Sequence, residues 1–107
     1  MSLRFTSVPM QNGQFIWRLH TSENELLARS GQGFETLVSA QRAAAAFKAR
    51  CPRARFEVYV NAVGEWRWRV YRTRIAVARS GSAFATRDAA ERAVEEVQMN
   101  AVSASGP

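Results

Sequence analysis

The chain has 107 residues, 47% of them hydrophobic, and its 15 basic residues outnumber its 9 acidic ones to give a net charge of +6. A chain of this size can bury a core of its own as one domain. Cys51 is the only cysteine, which excludes an internal disulfide and a cysteine zinc site and predicts a reducing, cytoplasmic setting. No apolar run approaches the roughly 20 residues of a membrane span and no secretory leader is visible, so we expect no membrane association.

The positive charge is concentrated in one part of the chain. Residues 48–79 contain nine basic side chains and two acidic ones. Clustering of this kind is typical of a surface that binds anions. The alternative interpretation is compositional, because fourteen arginines, one lysine and many alanines are also what a GC-rich genome produces. Charge alone leaves both interpretations open.

The first part of the chain predicts three strands. An extended stretch, Arg4–Met10, reaches a turn at Asn12-Gly13, where glycine tolerates the positive φ of a tight hairpin. Gln14–His20 then alternates apolar and polar side chains, the pattern of a strand with one buried face. A short apolar run, Leu26–Ser30, is closed by a glycine and predicts the third strand.

A helix should follow these strands. Thr36 stands where a hydroxyl would cap the first free amides of a helix. Pro52 would end the helix, since proline cannot continue it. The apolar side chains between them recur at helical spacing and form one stripe, at Ala40, Ala44, Phe47 and Cys51.

The second half of the chain predicts the same order of strands and helix as the first half. Phe5, Gly13 and Trp17 recur 51 residues later as Phe56, Gly64 and Trp68, and after a one-residue deletion the offset becomes 50. We interpret the chain as a tandem duplication. The second copy predicts strands at Arg53–Val60, Glu65–Arg72 and Ile75–Ser80, and a helix capped by Thr86, with Asp88 in its first turn and the stripe Ala90, Val94, Val97 and Ala101.

These elements predict an α+β fold of two βββα repeats that form one antiparallel sheet, with both helices packed on one face and a pseudo-twofold relation between the halves. The repeats, 4–51 and 53–101, would share one core within a single domain, 1–107, because a unit of about fifty residues is marginal alone. We expect residues 102–107 to be a frayed tail. Pro9 cannot donate to a strand ladder and predicts that the first strand lies at an edge.

Alternation also predicts which face of the sheet is buried. Trp66 and Trp68 point one way and Arg67 and Arg69 the other, and only the tryptophan side offers the helix stripes an apolar partner. Burying unpaired guanidinium groups would cost several kcal/mol each. The tryptophans are therefore predicted to be core, and the arginines to line an open face in water.

The pattern Phe56–Tyr59, Gly64–Val70, Ala76–Ser80, Phe84 and the helix after Thr86 resembles the YegP-like family of small bacterial tandem-repeat proteins. The resemblance covers nearly the whole chain. It implies one sheet with the helices on one face and strand exchange after each helix, and it implies no activity. Two features depart from the family: the tail is too short for the usual closing strand, and the Arg72-Thr73-Arg74 hairpin lacks an Asn-Gly turn.

The chain has few of the side chains that usually perform catalysis. The chain has one aspartate, Asp88, one histidine, His20, and one cysteine, Cys51. A nucleophilic set or a metal cluster needs more such groups than this. We therefore expect no enzyme activity, no cofactor, no metal and no small-molecule substrate.

Two hypotheses for function remain. The first is a binding module for a polyanion, most plausibly nucleic acid, which would hold phosphates on the open sheet and its adjacent hairpin. Its candidate contacts are Arg53, Arg55, Arg67, Arg69, Arg72 and Arg74. The second is a protein-interaction or structural module that binds itself or another protein through the apolar part of the open face or the edge strand. Its candidate contacts are Val8, Met10 and Ile16.

Overall fold

In the computed structural model, which describes residues 3–106, both halves of the chain have the same order of elements. The first half contains β1 (Leu3–Pro9), β2 (Phe15–Thr21), β3 (Leu26–Ser30) and α1 (Leu37–Arg50). The second half contains β4 (Phe56–Val60), β5 (Trp66–Arg72), β6 (Ile75–Ser80) and α2 (Arg87–Asn100). Each helix is followed by one 3-10 turn, Cys51–Arg53 or Ala101–Ser103.

The strands form a single sheet in the order β1-β2-β3-β6-β5-β4, and every adjacent pair is antiparallel. The predicted α+β architecture is therefore confirmed. The halves meet where β3 pairs with β6, so the sheet continues from one half into the other. Pro9 lies in β1 at one edge of the sheet, as predicted, and β4 forms the other edge.

Local sequence signals explain where the elements turn and begin. Gly13 and Gly64 both adopt φ +85° in the β1–β2 and β4–β5 hairpins, a conformation that side chains rarely adopt. The Thr36 hydroxyl accepts a hydrogen bond from the Ser39 amide at 3.0 Å and caps α1. Thr86 caps α2 in the same way. Both predicted caps are confirmed.

The core lies between the sheet and the two helices. Trp17 and Trp68 are 1% and 0% exposed, which confirms the predicted burial of the tryptophan face. The ring of Trp17 stacks on Phe47 of α1 at a centroid distance of 4.9 Å, and Trp68 packs edge-on against Phe56 at 5.1 Å. Trp66, nearer the strand end, is only half-buried.

The C-terminal segment is more ordered than the sequence suggests. Residues 102–107 were expected to fray, but Ser105 bridges to β1: its carbonyl accepts from the Phe5 amide at 2.8 Å and its amide donates to Leu3 at 3.0 Å. Ala104 is 3% exposed, and its carbonyl accepts a hydrogen bond from Lys48. Small side chains allow this close packing, so the tail covers part of the β1 edge. Pro107 lies outside the described residues.

The β5–β6 hairpin contains a strained two-residue turn. Arg72 pairs with Ile75, and the intervening Thr73 and Arg74 adopt φ +48° and +69°. Positive φ at both positions is the type I′ geometry that favours Asn-Gly, and it is especially unfavourable for β-branched threonine. The sequence has Thr73-Arg74 where a turn of this type favours Asn-Gly, and the backbone is strained there as a result.

Replacing the turn by Asn-Gly (Thr73→Asn with Arg74→Gly) should relieve this strain. We expect the free energy of unfolding to rise by about 1–2 kcal/mol, measured by urea denaturation. The control is Arg74→Ala, which removes the same charge but not the positive φ, and should give no gain. Equal stabilisation by both variants would mean that charge, rather than backbone strain, destabilises the turn.

Candidate functional site

The open face, meaning the side of the sheet opposite the helices, carries a line of arginines that crosses the sheet. Strand register places Arg18 opposite Arg29, Arg29 opposite Arg79, and Arg79 opposite Arg69. We call these four residues the arginine row. Opposed residues in antiparallel strands have Cα atoms about 4.5–5.5 Å apart, so the row spans four neighbouring strands without a gap.

Burial shows that the arginine row points away from the core. The neighbours of Arg29 in its strand, Ala28 and Ser30, are 0% and 1% exposed, and Ala78 and Ser80 beside Arg79 are 0% and 2% exposed. Because alternate residues of a strand face opposite sides, the arginines between them face solvent. The serine hydroxyls below are used structurally: each accepts a hydrogen bond from a buried tryptophan amide, at 3.3 Å.

An acidic side chain neutralises one end of the row. Arg69 Nε donates to Glu57 Oε1 at 2.7 Å, and the Arg69 guanidinium lies 4.0 Å from the centroid of the Tyr59 ring. Partial burial would by itself lower the pKa of Arg69, but the hydrogen bond and charge of Glu57 raise it overall. Arg69 is thus a fixed, permanently charged anchor at one end.

The rest of the row is positive without compensation. Within residues 3–106, no carboxylate forms an ion pair with Arg18, Arg29 or Arg79. Like charges directly opposed across strands destabilise a sheet by roughly 0.2–1 kcal/mol per pair. The fold thus tolerates repeated like-charge contacts in the middle of its open face.

His20 adds no charge to this surface at neutral pH. Its Nε2 lies 2.7 Å from the Thr6 hydroxyl oxygen. Burial, followed by the nearby guanidinium of Arg4, lowers the pKa of His20 below its ordinary value. His20 is therefore mostly uncharged at pH 7, and the charge of the open face comes from guanidinium groups.

The six arginines predicted as polyanion contacts do not form one surface. Arg67 and Arg69 lie on the open face, and Arg67 is 3.6 Å from Glu65. Arg74 lies in the strained β5–β6 turn. The other three line a groove beside α1, on the helix side of the sheet: Arg53, Arg55 and Arg72. Arg53 is there because it belongs to the turn that follows α1, and Arg72 is there because alternation in β5 puts it on the same face as Trp68 and Val70.

Three members of the row, Arg18, Arg29 and Arg79, were not among the predicted contacts. A signal for them exists in the sequence, since Trp17-Arg18 matches Trp68-Arg69 and Ala28–Gly31 matches Ala78–Gly81. Each half of the chain supplies two members of the arginine row. What the sequence pattern could not show is that β3 and β6 pair, which joins the two sets into one row.

The predicted apolar contact is less exposed than expected. Val8 of β1 lies opposite Ile16 of β2, but Ile16 is only 7% exposed and Val8 is half-buried. Met10 is 40% exposed and lies beyond the end of β1. These three side chains therefore do not form a continuous exposed patch.

Groups that could perform chemistry are dispersed or protected. Cys51 is fully buried, and burial raises the pKa of its thiol to about 12, so it is not a thiolate at neutral pH. No set of three or more His, Cys, Asp or Glu side chains in the described part of the chain could hold a metal ion. None of the described helices is both long and apolar enough to cross a bilayer.

Comparisons with known proteins identify similar proteins of unknown function. The family model described as "Domain of unknown function (DUF1508)" matches residues 11–57. The solution structure of the protein of unknown function yegP from E. coli aligns with a TM-score of 0.83 at 20% identity, over 98% of this chain and 90% of that one. A UPF0339 protein from Shewanella oneidensis aligns with a TM-score of 0.79 at 16% identity, over 95% and 86%. A search of curated proteins returned no significant match.

Proposed function

We propose a role for this chain from its own surface, because the proteins that it resembles in sequence or in fold are of unknown function. We propose that it is a non-catalytic module that binds a polyanion, with nucleic acid as the first candidate. The binding surface is the open face of the sheet, and the arginine row is its centre. We place this activity in a reducing bacterial cytoplasm, since Cys51 stays a free thiol.

One observation carries the proposal: four arginines stand in register across four strands, and among residues 3–106 only Arg69 of the four is paired with an acid. An arrangement that places like charges side by side destabilises the folded chain unless an anion neutralises them. A row of guanidinium groups is suited to a string of phosphates, because each guanidinium presents several donors in a planar fork.

The surroundings of the row favour contacts that do not depend on base sequence. The tryptophans are not available for stacking on bases, because Trp17 and Trp68 are in the core. Tyr71 is 45% exposed and lies 5.2 Å from the Arg69 guanidinium, so it can supply one stacking surface at the end of the row. Phosphate contacts would supply most of the affinity and little sequence preference.

The test is titration of fluorescein-labelled single-stranded RNA, single-stranded DNA and duplex DNA, followed by anisotropy. If about four phosphates are neutralised, affinity should fall roughly 50- to 150-fold between 50 and 200 mM salt. The double variant Arg29→Ala with Arg79→Ala should weaken binding at 50 mM salt and reduce the salt dependence by about half, since it removes two of four contacts.

A matched control exists on the helices. Arg42 and Arg92 occupy equivalent positions in the two repeats and are exposed, so Arg42→Ala with Arg92→Ala removes the same charge from the opposite side of the molecule. It should retain most of the affinity. Absence of binding at 50 mM salt would refute the proposal. Equal losses in the two double variants would show that net charge, and not the arginine row, determines binding.

A second candidate function is protein interaction through the free edge of the sheet. The β4 edge ends at Val60, which is 49% exposed, and Val63 in the following turn is 78% exposed. Unlike β1, this edge strand has no tail segment bridged to it within the described residues. An edge with open amides and exposed valines can add a strand from a second copy or from another protein. Light scattering at high concentration tests self-association, and Val63→Lys should reduce it.

A further inference from the structure

A groove of about 860 Å³ lies beside α1, on the side of the sheet opposite the arginine row. Its accessible apolar lining includes the half-buried side chains of Phe34, Ala43 and Val77, whereas Trp17, Phe47 and Val70 border it but are almost fully buried. Small side chains of α1, Ala43 and Ala46, leave the space open. The volume is within the range of sites that hold small organic ligands, which are also mainly apolar with a few polar groups.

The rim of this groove is basic. Arg50, Arg53, Arg55 and Arg72 line it, all four are exposed, and none of the described lining residues is acidic. No described carboxylate forms an ion pair with any of these arginines. The C-terminal end of α1 disfavours an anion by its dipole, but that partial charge is small beside four guanidinium groups. We call this site the arginine groove.

The second repeat provides an internal comparison. A smaller groove of about 370 Å³ lies beside α2, lined by residues equivalent to those of the arginine groove: Phe84 in place of Phe34 and Ala93 in place of Ala43. Where the arginine groove has Ala46, the second groove has Glu96. The duplicated fold therefore does not by itself produce a basic groove. The two grooves differ in volume and in the charge of their lining, although they lie at corresponding places in the two halves.

We propose that the arginine groove binds a small amphipathic anion, with an apolar chain or ring against the partly exposed Phe34 and Val77 and a carboxylate or phosphate head at the arginine rim. The apolar wall excludes a ligand that is only ionic, and four unpaired guanidinium groups select against neutral and cationic ligands. The groove lies on the helix side of the sheet, and Tyr71 lies both at its edge and beside Arg69 at the end of the arginine row.

The test uses decanoate and decyl phosphate below their micelle concentrations, followed by calorimetry and by tryptophan emission, since Trp17 lines the groove. We expect both to bind, and decanol, decyltrimethylammonium and inorganic phosphate to bind at least tenfold more weakly. Arg55→Ala and Arg72→Ala should each weaken decyl phosphate binding roughly tenfold. Ala46→Glu, which copies the second groove, should abolish it.

Two controls separate this site from the open face and from loss of fold. Glu96→Ala changes the equivalent position in the second groove, and Arg29→Ala with Arg79→Ala changes the arginine row. Both should bind decyl phosphate as the native chain does, and every variant should remain folded, with a cooperative thermal transition. Binding of decanol equal to that of decyl phosphate, unchanged binding in the Ala46→Glu variant, or no binding at all would each overturn the proposal.

Discussion

Replacing Trp68 with alanine is expected to lower the free energy of unfolding by about 3–5 kcal/mol, measured by urea denaturation. The side chain is fully buried in β5 and packs edge-on against Phe56 of β4. Its loss leaves a large cavity in a core of modest size. Since a domain of this length has a total stability of about 5–15 kcal/mol, the variant should be close to unfolding at room temperature.

Two further substitutions show whether burial is the cause. Trp66→Ala, at a half-buried position two residues earlier on the same face, should lose much less stability. Trp68→Phe should lose little stability. The Trp68 indole N–H is buried without a hydrogen-bond partner among the described residues, so removing it also removes the free-energy cost of its desolvation. If Trp66→Ala were as destabilising as Trp68→Ala, burial could not explain the effect.

The elements of this fold could be predicted because their signals are local. Alternation in β2 and β5, the threonine caps and the apolar stripes of both helices are patterns within a few residues, and their repetition makes each one more certain. The buried face followed from a free-energy argument, since Trp68 and Arg69 cannot both be inside. These are the parts of the structure that depend on neighbours in sequence.

The candidate site could be predicted only in part, because it depends on pairing between distant strands. The arginine row exists because β3 lies beside β6, a contact between residues about 50 positions apart that no local pattern specifies. Arg72 was predicted to act together with the open face, but it shares the strand parity of Trp68 and Val70 and lines the groove on the helix side. The contact between the tail and β1 was not predicted, because it also joins residues that are far apart in the sequence.

Replacing Gly31 with alanine should disrupt the contact between the halves. Gly31 follows β3, and a Cβ there would lie 2.0 Å from the carbonyl oxygen and 2.9 Å from the Cβ of Ala76. Its amide also donates to Val77 at 3.2 Å. Because the obstructing atoms are backbone, β3 and β6 would have to separate. We expect a loss of about 2–4 kcal/mol, from overpacking and a weakened hydrogen bond.

The equivalent glycine of the second repeat, Gly81, should behave similarly, since its Cβ would lie 2.5 Å from the Leu26 carbonyl oxygen. The control is Gly13→Ala: Gly13 has a positive φ but nothing within 4 Å of a Cβ, so only about 1–2 kcal/mol of backbone strain is expected. Because the Gly31 contact also holds Arg29 opposite Arg79, the folded Gly31→Ala variant should bind polyanion more weakly than the Gly13→Ala variant. Equal stability and equal binding in these two variants would mean that the halves are not joined through β3 and β6.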